Sequence, residues 1–111
     1  MYTYNCVIKK VVDGDTIEVD IDLGFNVWLR DEKIRVEGID SPETRTKDLQ
    51  EKALGHAATA RAAQLLPVGS KQILHSRGFN GKFGRVLGDF QIGDRMFSDI
   101  MLSENQAVPY K

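Results

Sequence analysis

Strict alternation between apolar and acidic side chains over residues 16–23 restricts the fold more than any other feature of this chain. Ile17, Val19, Ile21 and Leu23 alternate with Glu18, Asp20 and Asp22. Successive side chains of a β-strand point to opposite faces, so the pattern predicts a strand in an antiparallel sheet with one buried and one solvated face. Residues 5–12 have the character of a preceding strand, and the Asp13-Gly14 step between the two is a turn signal.

Three further strand regions are predicted, at residues 25–39, 71–76 and 83–92. In the first of them Phe25, Val27 and Leu29 form an apolar alternation that changes phase near Asp31-Glu32. A bulge or a hairpin at that point would explain the change. Glycines between residues 78 and 84 indicate a loop between the last two strands.

A long helix is predicted from Asp48, as its N-cap, to Leu66, with Glu51 at the reciprocal position of a capping box. Pro67 and Gly69 end it. An apolar stripe at helical spacing is predicted to face the core, and it consists of Leu49, Ala53, Ala57 and Ala60. A short second helix is predicted from about Met96 to Glu104.

The order of elements is therefore three strands, a helix, two strands and a helix. A closed barrel removes the exposed edges of five short strands. We predict an α+β fold: a five-stranded Greek-key barrel of the oligonucleotide-binding type, packed against one long helix, with a short second helix near the C-terminus. The length of 111 residues predicts one domain over residues 1–111.

The charge of the chain argues against a protein that coats nucleic acid by bulk charge, because 15 Lys and Arg oppose 16 Asp and Glu. The distribution is uneven. Residues 13–32 carry seven acidic side chains and one arginine, whereas residues 67–88 carry four Lys and Arg and no acid. The first segment is suited to a cation and the second to an anion.

The location of the protein is predicted from what its sequence lacks. The apolar stretches are far shorter than the ~20 residues needed to span a membrane, so no membrane association is expected. The N-terminal residues lack the basic start and apolar run of a secretory signal, and a cytoplasmic location is the expectation. Cys6 is the single cysteine and cannot form an internal disulfide.

Three clusters at strand ends or in loops carry the candidate functional groups: residues 13–16, 35–44 and 82–85. Asp15 and Asp40 are hard oxygen donors on separate segments, which suit Ca²⁺ or Mg²⁺ better than zinc. Each feature alone also has an ordinary interpretation: a turn for Asp-Gly-Asp, a surface pair with Glu37 for Arg35, and a solvated loop cation for Arg85. Together, the two arginines and the carboxylates suit a bound phosphate.

The order of these motifs resembles the staphylococcal nuclease-like (thermonuclease) family: Asp-Gly-Asp-Thr at 13–16, Arg-x-x-x-x-Asp-Ser-Pro-Glu at 35–43 and Gly-x-x-Gly-Arg at 81–85. The similarity extends from about Ile8 to about Leu102. It implies a Ca²⁺-dependent phosphodiesterase on a five-stranded oligonucleotide-binding barrel, which acts on DNA and RNA and leaves 3′-phosphates.

The resemblance also implies a role for each matching residue. Asp15, Asp40 and the carbonyl of Ser41 would ligate Ca²⁺, Glu43 would handle the attacking water, and Arg35 and Arg85 would hold the scissile phosphate. Contacts to substrate are expected from Lys82, next to the phosphate-binding arginine, and from the rings of Phe83 and Tyr110, which can stack on bases.

Two other functions remain open. Barrels of this type also serve as noncatalytic modules that bind nucleic acid or a protein, but such a module would not require Asp15, Arg35, Asp40, Glu43 and Arg85 together. The third possibility is a nuclease that is completed by another subunit, so self-association is left open.

Overall fold

The computed structural model describes residues 2–80 and 84–110. Lys82 and Phe83, both predicted to contact substrate, lie outside these residues. The elements in chain order are β1 Tyr2–Asp13, β2 Thr16–Asp22, β3 Trp28–Val36, β4 Ile39–Asp40, α1 Leu49–Leu65, β5 Lys71–Asn80, β6 Arg85–Ile92, β7 Arg95–Met96, α2 Phe97–Ser103 and β8 Val108–Pro109.

Five strands form a closed barrel in the order β3-β2-β1-β5-β6, with β6 returning to β3. The closing pair is parallel and short, because Ile34 pairs with Val86 and Val36 with Gly88. The other neighbours are antiparallel, and β7 extends the sheet beyond β6. With one long and one short helix, this arrangement confirms the predicted α+β fold of the oligonucleotide-binding type. A second, two-stranded sheet pairs β4 with β8.

The barrel interior is filled by the apolar residues that the alternation predicts. Ile17, Val19 and Ile21 of β2 are buried, as are Ile34 and Val36 of β3. The second helix closes this core at β6, where the rings of Phe90 and Phe97 meet edge to face with centroids 6.2 Å apart. Aromatic pairs favour this geometry because the positive ring edge meets the negative ring face.

Helix α1 begins where the sequence indicates, because the Asp48 carboxylate accepts hydrogen bonds from the N–H groups of Gln50 and Glu51. The predicted capping box is not formed with Glu51, since the Asp48 N–H donates to Thr46 Oγ1 instead. Neither of the helices in residues 2–80 and 84–110 is long and apolar enough to cross a membrane.

The predicted buried stripe of α1 is wrong. Its members, Leu49, Ala53, Ala57 and Ala60, are exposed. The helix instead buries Gly55, Ala58 and Ala62. Small side chains on that face let the helix backbone approach the barrel closely, and this close contact outweighs the larger apolar area on the other face.

The start of the third strand also differs from the prediction. Residues 24–27 form a turn in which Gly24, Phe25 and Asn26 all have positive φ, of 83°, 54° and 61°. The Val27 N–H donates to the Gly24 carbonyl across it. Phe25 is fully exposed and Val27 is half exposed, so their apolar alternation does not mark a buried strand face.

The phase change near Asp31 is a bulge. Val19 pairs with Glu32 and Ile21 with Leu29, so that Arg30 and Asp31 together oppose Asp20. The buried Asp20 carboxylate accepts hydrogen bonds from the Asp31 N–H at 2.9 Å and from Arg30 Nη1 at 3.0 Å. Burial acts to raise the pKa of Asp20, but these hydrogen bonds and the nearby Lys9 outweigh it, and the pKa lies below its usual value.

Asp20→Asn is expected to lower the free energy of unfolding at pH 7 by about 1–2 kcal/mol, because a neutral amide replaces the charge-assisted acceptor. A lowered native pKa stabilises the protein above the ordinary aspartate pKa of about 3.9, and this contribution is lost as the pH falls through the native pKa. Urea denaturation at pH 7 and pH 2 should therefore show the difference between wild type and variant only at the higher pH. Asp94→Asn, in an exposed turn, is the control and should leave the free energy of unfolding unchanged at both pH values. A full difference at both pH values would contradict the electrostatic explanation.

Candidate active site

Arg35 lies at the centre of the predicted site. Its neighbours in sequence, Ile34 and Val36, face the core, so its side chain leaves the barrel on the opposite face. Nη1 donates to the carbonyls of Val36 at 2.7 Å and Ile39 at 2.9 Å. Nη2 lies 3.6 Å from Asp15 Oδ2 and 3.5 Å from Asp40 Oδ1. The alternative in which Arg35 pairs with Glu37 on the surface is wrong.

Asp15 is held by the turn between β1 and β2. Its Oδ2 accepts a hydrogen bond from the Ser41 N–H at 2.9 Å, and its Oδ1 accepts one from Thr16 Oγ1 at 3.1 Å. The Asp15 N–H donates to Asp13 Oδ1, which fixes the turn. Gly14 lies so close to the next segment that a Cβ there would be 2.8 Å from Ser41 Cβ. The Asp-Gly-Asp sequence is therefore a turn and also the support of a buried carboxylate.

Asp13 and Asp15 have opposite pKa shifts. Burial raises the pKa of Asp13 to about 6, and the negative charge of Asp15 adds to this effect. Burial acts in the same direction on Asp15, but hydrogen bonds from Asp13 and the Ser41 N–H, together with the charge of Arg35, hold its pKa below the usual value. Of the two carboxylates, Asp15 is the one kept ionised.

The predicted metal ligands have the chemistry of a site for a hard cation. Asp15 and Asp40 approach the same guanidinium nitrogen, and the Asp40 side chain is 55% exposed. Ser41 directly follows Asp40 and is buried against Asp15. Carboxylate and carbonyl oxygens are the ligands that Ca²⁺ prefers, so the donor set fits this ion. Within residues 2–80 and 84–110, no group of three or more His, Cys, Asp and Glu could hold a metal through side chains alone.

Glu43 lies on the segment between β4 and α1, with its side chain exposed. Its carboxylate has no hydrogen bond or ion pair to another residue in the described part of the chain, so the structure does not bring it into contact with Arg35, Asp15 or Asp40. Its backbone, in contrast, is fixed by the helix. A Cβ on Gly55 would lie 2.6 Å from the Glu43 carbonyl oxygen and 2.9 Å from that of Pro42.

A cavity of about 340 Å³ lies beside these residues, at the seam where β3 and β6 close the barrel. Arg35 lines it from the end of β3, Glu37 from the turn that follows, Arg85 and Leu87 from β6, and Tyr110 from the segment after β8. The Tyr110 ring lies over the Arg35 guanidinium, 5.3 Å from centroid to Cζ. The Tyr110 N–H donates to the Gly38 carbonyl. The structure thus brings Arg35, Arg85 and Tyr110 together.

Two residues of this region are not among the predicted site residues. Glu37 lines the cavity, and its nearness to Arg35 in the sequence is the signal that points to it. Gly55 positions the segment that carries Glu43, and an isolated glycine inside an alanine-rich helix is a signal of close packing.

Similarity to known proteins covers most of the chain. A family model described as staphylococcal nuclease homologue matches residues 33–111. The chain belongs to this family. A thermonuclease from Staphylococcus intermedius is 32% identical over 101 residues, which make up 91% of this chain and 56% of the thermonuclease. The chain therefore spans about half the length of this staphylococcal nuclease relative, and the resemblance inferred from the motifs is confirmed.

Gly55→Ala is expected to lower the free energy of unfolding by about 1–3 kcal/mol, because the added methyl group would overlap the carbonyls of Pro42 and Glu43. Chemical denaturation measures the loss. His56→Ala, at the next and exposed position of the same helix, is the control and should cost little. If Gly55→Ala stabilised the protein, as the higher helix propensity of alanine alone predicts, the close contact would be disproved.

Proposed function

We propose that this protein is a Ca²⁺-dependent nuclease that hydrolyses the phosphodiester bonds of DNA and RNA and leaves 3′-phosphates. Membership of the staphylococcal nuclease homologue family supports nuclease activity. The observation that carries the proposal furthest is the position of Arg35, which contacts two carboxylates on one side and lines a cavity with Arg85.

In this proposal Arg35 and Arg85 bind the scissile phosphate. Both project from strands that pair directly at the barrel seam, so the scaffold holds them close together before substrate arrives. Hydrolysis spreads negative charge over the phosphorus oxygens, and donors that are fixed in advance stabilise this charge without reorganising. Arginine is suited to the task because its planar fork donates two parallel hydrogen bonds to phosphate. Because a guanidinium stays protonated in proteins, arginine acts here as an electrostatic clamp and not as a proton donor.

Asp15, Asp40 and the carbonyl of Ser41 would hold the Ca²⁺ ion. When bound, this ion neutralises phosphate charge and acidifies a coordinated water. Asp15 is prepared for such a role because its hydrogen bonds and Arg35 keep it ionised, whereas Asp13 takes up a proton more readily.

Glu43 would orient or deprotonate the attacking water. Its carboxylate is exposed and has no ion pair within the described residues, so it is open to an incoming water or substrate. Close packing of Gly55 against the Glu43 backbone limits where this carboxylate can move. A positioned general base contributes typically about 10²–10⁴-fold to a rate.

Glu43→Gln is therefore expected to reduce cleavage of single-stranded DNA and of RNA by about 10²-fold or more while leaving the fold intact. The assay follows 5′-labelled oligonucleotides with Ca²⁺, with and without EDTA, and analyses the new ends for 3′-phosphates. Glu32→Gln, a half-buried glutamate of β3 outside the cavity, is the matched control and should retain full activity.

Several outcomes would contradict the proposal. Cleavage that persists in EDTA would exclude the metal dependence, and equal activity of Glu43→Gln would exclude the role of Glu43. A folded protein that binds DNA without cutting it would instead be a noncatalytic binding module. Activity per molecule that rises with protein concentration would indicate completion by a second subunit.

Arg35→Lys is expected to lower the cleavage rate by about 10³-fold, by analogy with the phosphate-binding arginines of phosphoryl transfer. Lysine keeps the charge but cannot serve the carbonyls of Val36 and Ile39 and a phosphate together. Steady-state rates of the variant measure the loss of the phosphate contact, and its urea denaturation measures the loss of the hydrogen bonds to the two carbonyls. A loss of activity no larger than that of the control would remove Arg35 from the mechanism.

A further inference from the structure

Glu37 is an acidic residue that lines the cavity together with the two arginines. Its backbone is fixed, because its N–H donates to the Gly88 carbonyl of β6 at 2.9 Å. It follows the buried Val36, at the start of the turn that joins β3 to β4, and lines the cavity with Arg35. The next residue, Gly38, has φ of 82° and also lines the cavity.

The Glu37 carboxylate is half-buried, and no hydrogen bond or ion pair joins it to another residue in the parts of the chain that the structure describes. Arg35 lines the same cavity, yet its guanidinium is used by Asp15, Asp40 and two carbonyls. A partly desolvated carboxylate gains by accepting hydrogen bonds from a ligand. A phosphate repels it, so the group that it suits is a donor-bearing part of the ligand away from the phosphate.

The remaining surfaces of the cavity suit a planar ring. Leu87, the partner of Arg35 across the barrel seam, gives the cavity an apolar side. Tyr110 contributes a ring that is 65% exposed, and one of its faces lies over Arg35. Proteins bind unpaired bases by stacking on aromatic side chains and by hydrogen bonds to the base edges. The cavity therefore combines a cationic part, a stacking surface and an acceptor.

We infer that Glu37 reads the nucleobase next to the bound phosphate and favours guanine. The two oxygens of a carboxylate match two adjacent donors, and guanine alone among the four bases presents N1–H and an N2 amino group side by side. Uracil and thymine place carbonyl oxygens on both sides of a single N–H, and these repel a carboxylate. The inference rests on the proposed function, since it takes the phosphate of a nucleic acid to lie at Arg35 and Arg85.

The test is isothermal titration of the intact protein with 5′-GMP, AMP, CMP and UMP in EDTA, so that neither cleavage nor metal contributes. GMP is expected to bind about tenfold more tightly than UMP. Glu37→Gln is expected to remove this preference and to favour AMP, because an amide offers one donor and one acceptor, as adenine requires. Glu32→Gln removes the same charge from a half-buried position of β3 outside the cavity and should keep the wild-type order of affinities.

Equal affinity of the wild type for the four nucleotides would overturn the inference, and so would no detectable binding of any of them. A uniform gain in affinity in Glu37→Gln, with the order unchanged, would show that Glu37 acts only through its charge and would overturn it too. Guanine preference without nuclease activity would refute the proposed function and leave base recognition standing. Cleavage without base preference would refute the inference alone.

Discussion

The candidate site depends on one guanidinium. Arg35 Nη1 is used by two backbone carbonyls at 2.7 and 2.9 Å, which join the end of β3 to β4. Its Nη2 contacts to Asp15 and Asp40 are longer, at 3.6 and 3.5 Å, at the outer limit of hydrogen bonding. The two nitrogens thus have different roles. The first is committed to the fold, and the second can exchange a weak contact for a stronger one with an anionic ligand.

The segments around Arg35 are also held in place by close backbone packing. The Asp15 turn reaches Ser41 only because Gly14 has no side chain, and helix α1 reaches the Glu43 backbone only because Gly55 has none. Each close approach holds one carboxylate-bearing segment against its neighbour. The geometry around Arg35 is therefore set by backbone contacts on both sides as well as by ion pairs, which stabilise little when they are exposed.

Much of the barrel could be predicted because period-two alternation has a direct physical cause, as in residues 17–21, where one face meets the core. The prediction failed at Phe25 and Val27 because a turn can expose apolar side chains with the same spacing as a strand. It failed on α1 because the many Ala residues make the helix faces similar in hydrophobicity. The face with the smallest side chains is buried, since it allows the closest approach of the helix to the barrel. The short strands β4 and β8 have two residues each and no detectable period.

The site was predictable in part for a different reason. Asp15 lies 20 residues before Arg35 and 25 before Asp40. The order of the motifs, read as a family resemblance, relates Asp15 to the other two without knowledge of their contacts. Glu37 could not be identified as a site residue from the sequence, because whether it pairs with Arg35 depends on the direction of the Arg35 guanidinium. Hydrogen bonds to the Val36 and Ile39 carbonyls, which determine that direction, leave no trace in side-chain patterns.

The cavity lies on the seam where β3 pairs with β6, so a ligand bound in it would contact both strands. Among the described residues, β3 pairs with β6 over residues 34–36 and 86–88, which are distant in the chain. Contacts between residues so distant in sequence are costly in loop entropy to form. Arg35 and Arg85 lie on the two strands that meet at this seam, so an anion that contacts both arginines would join the two strands through a ligand as well as through the backbone.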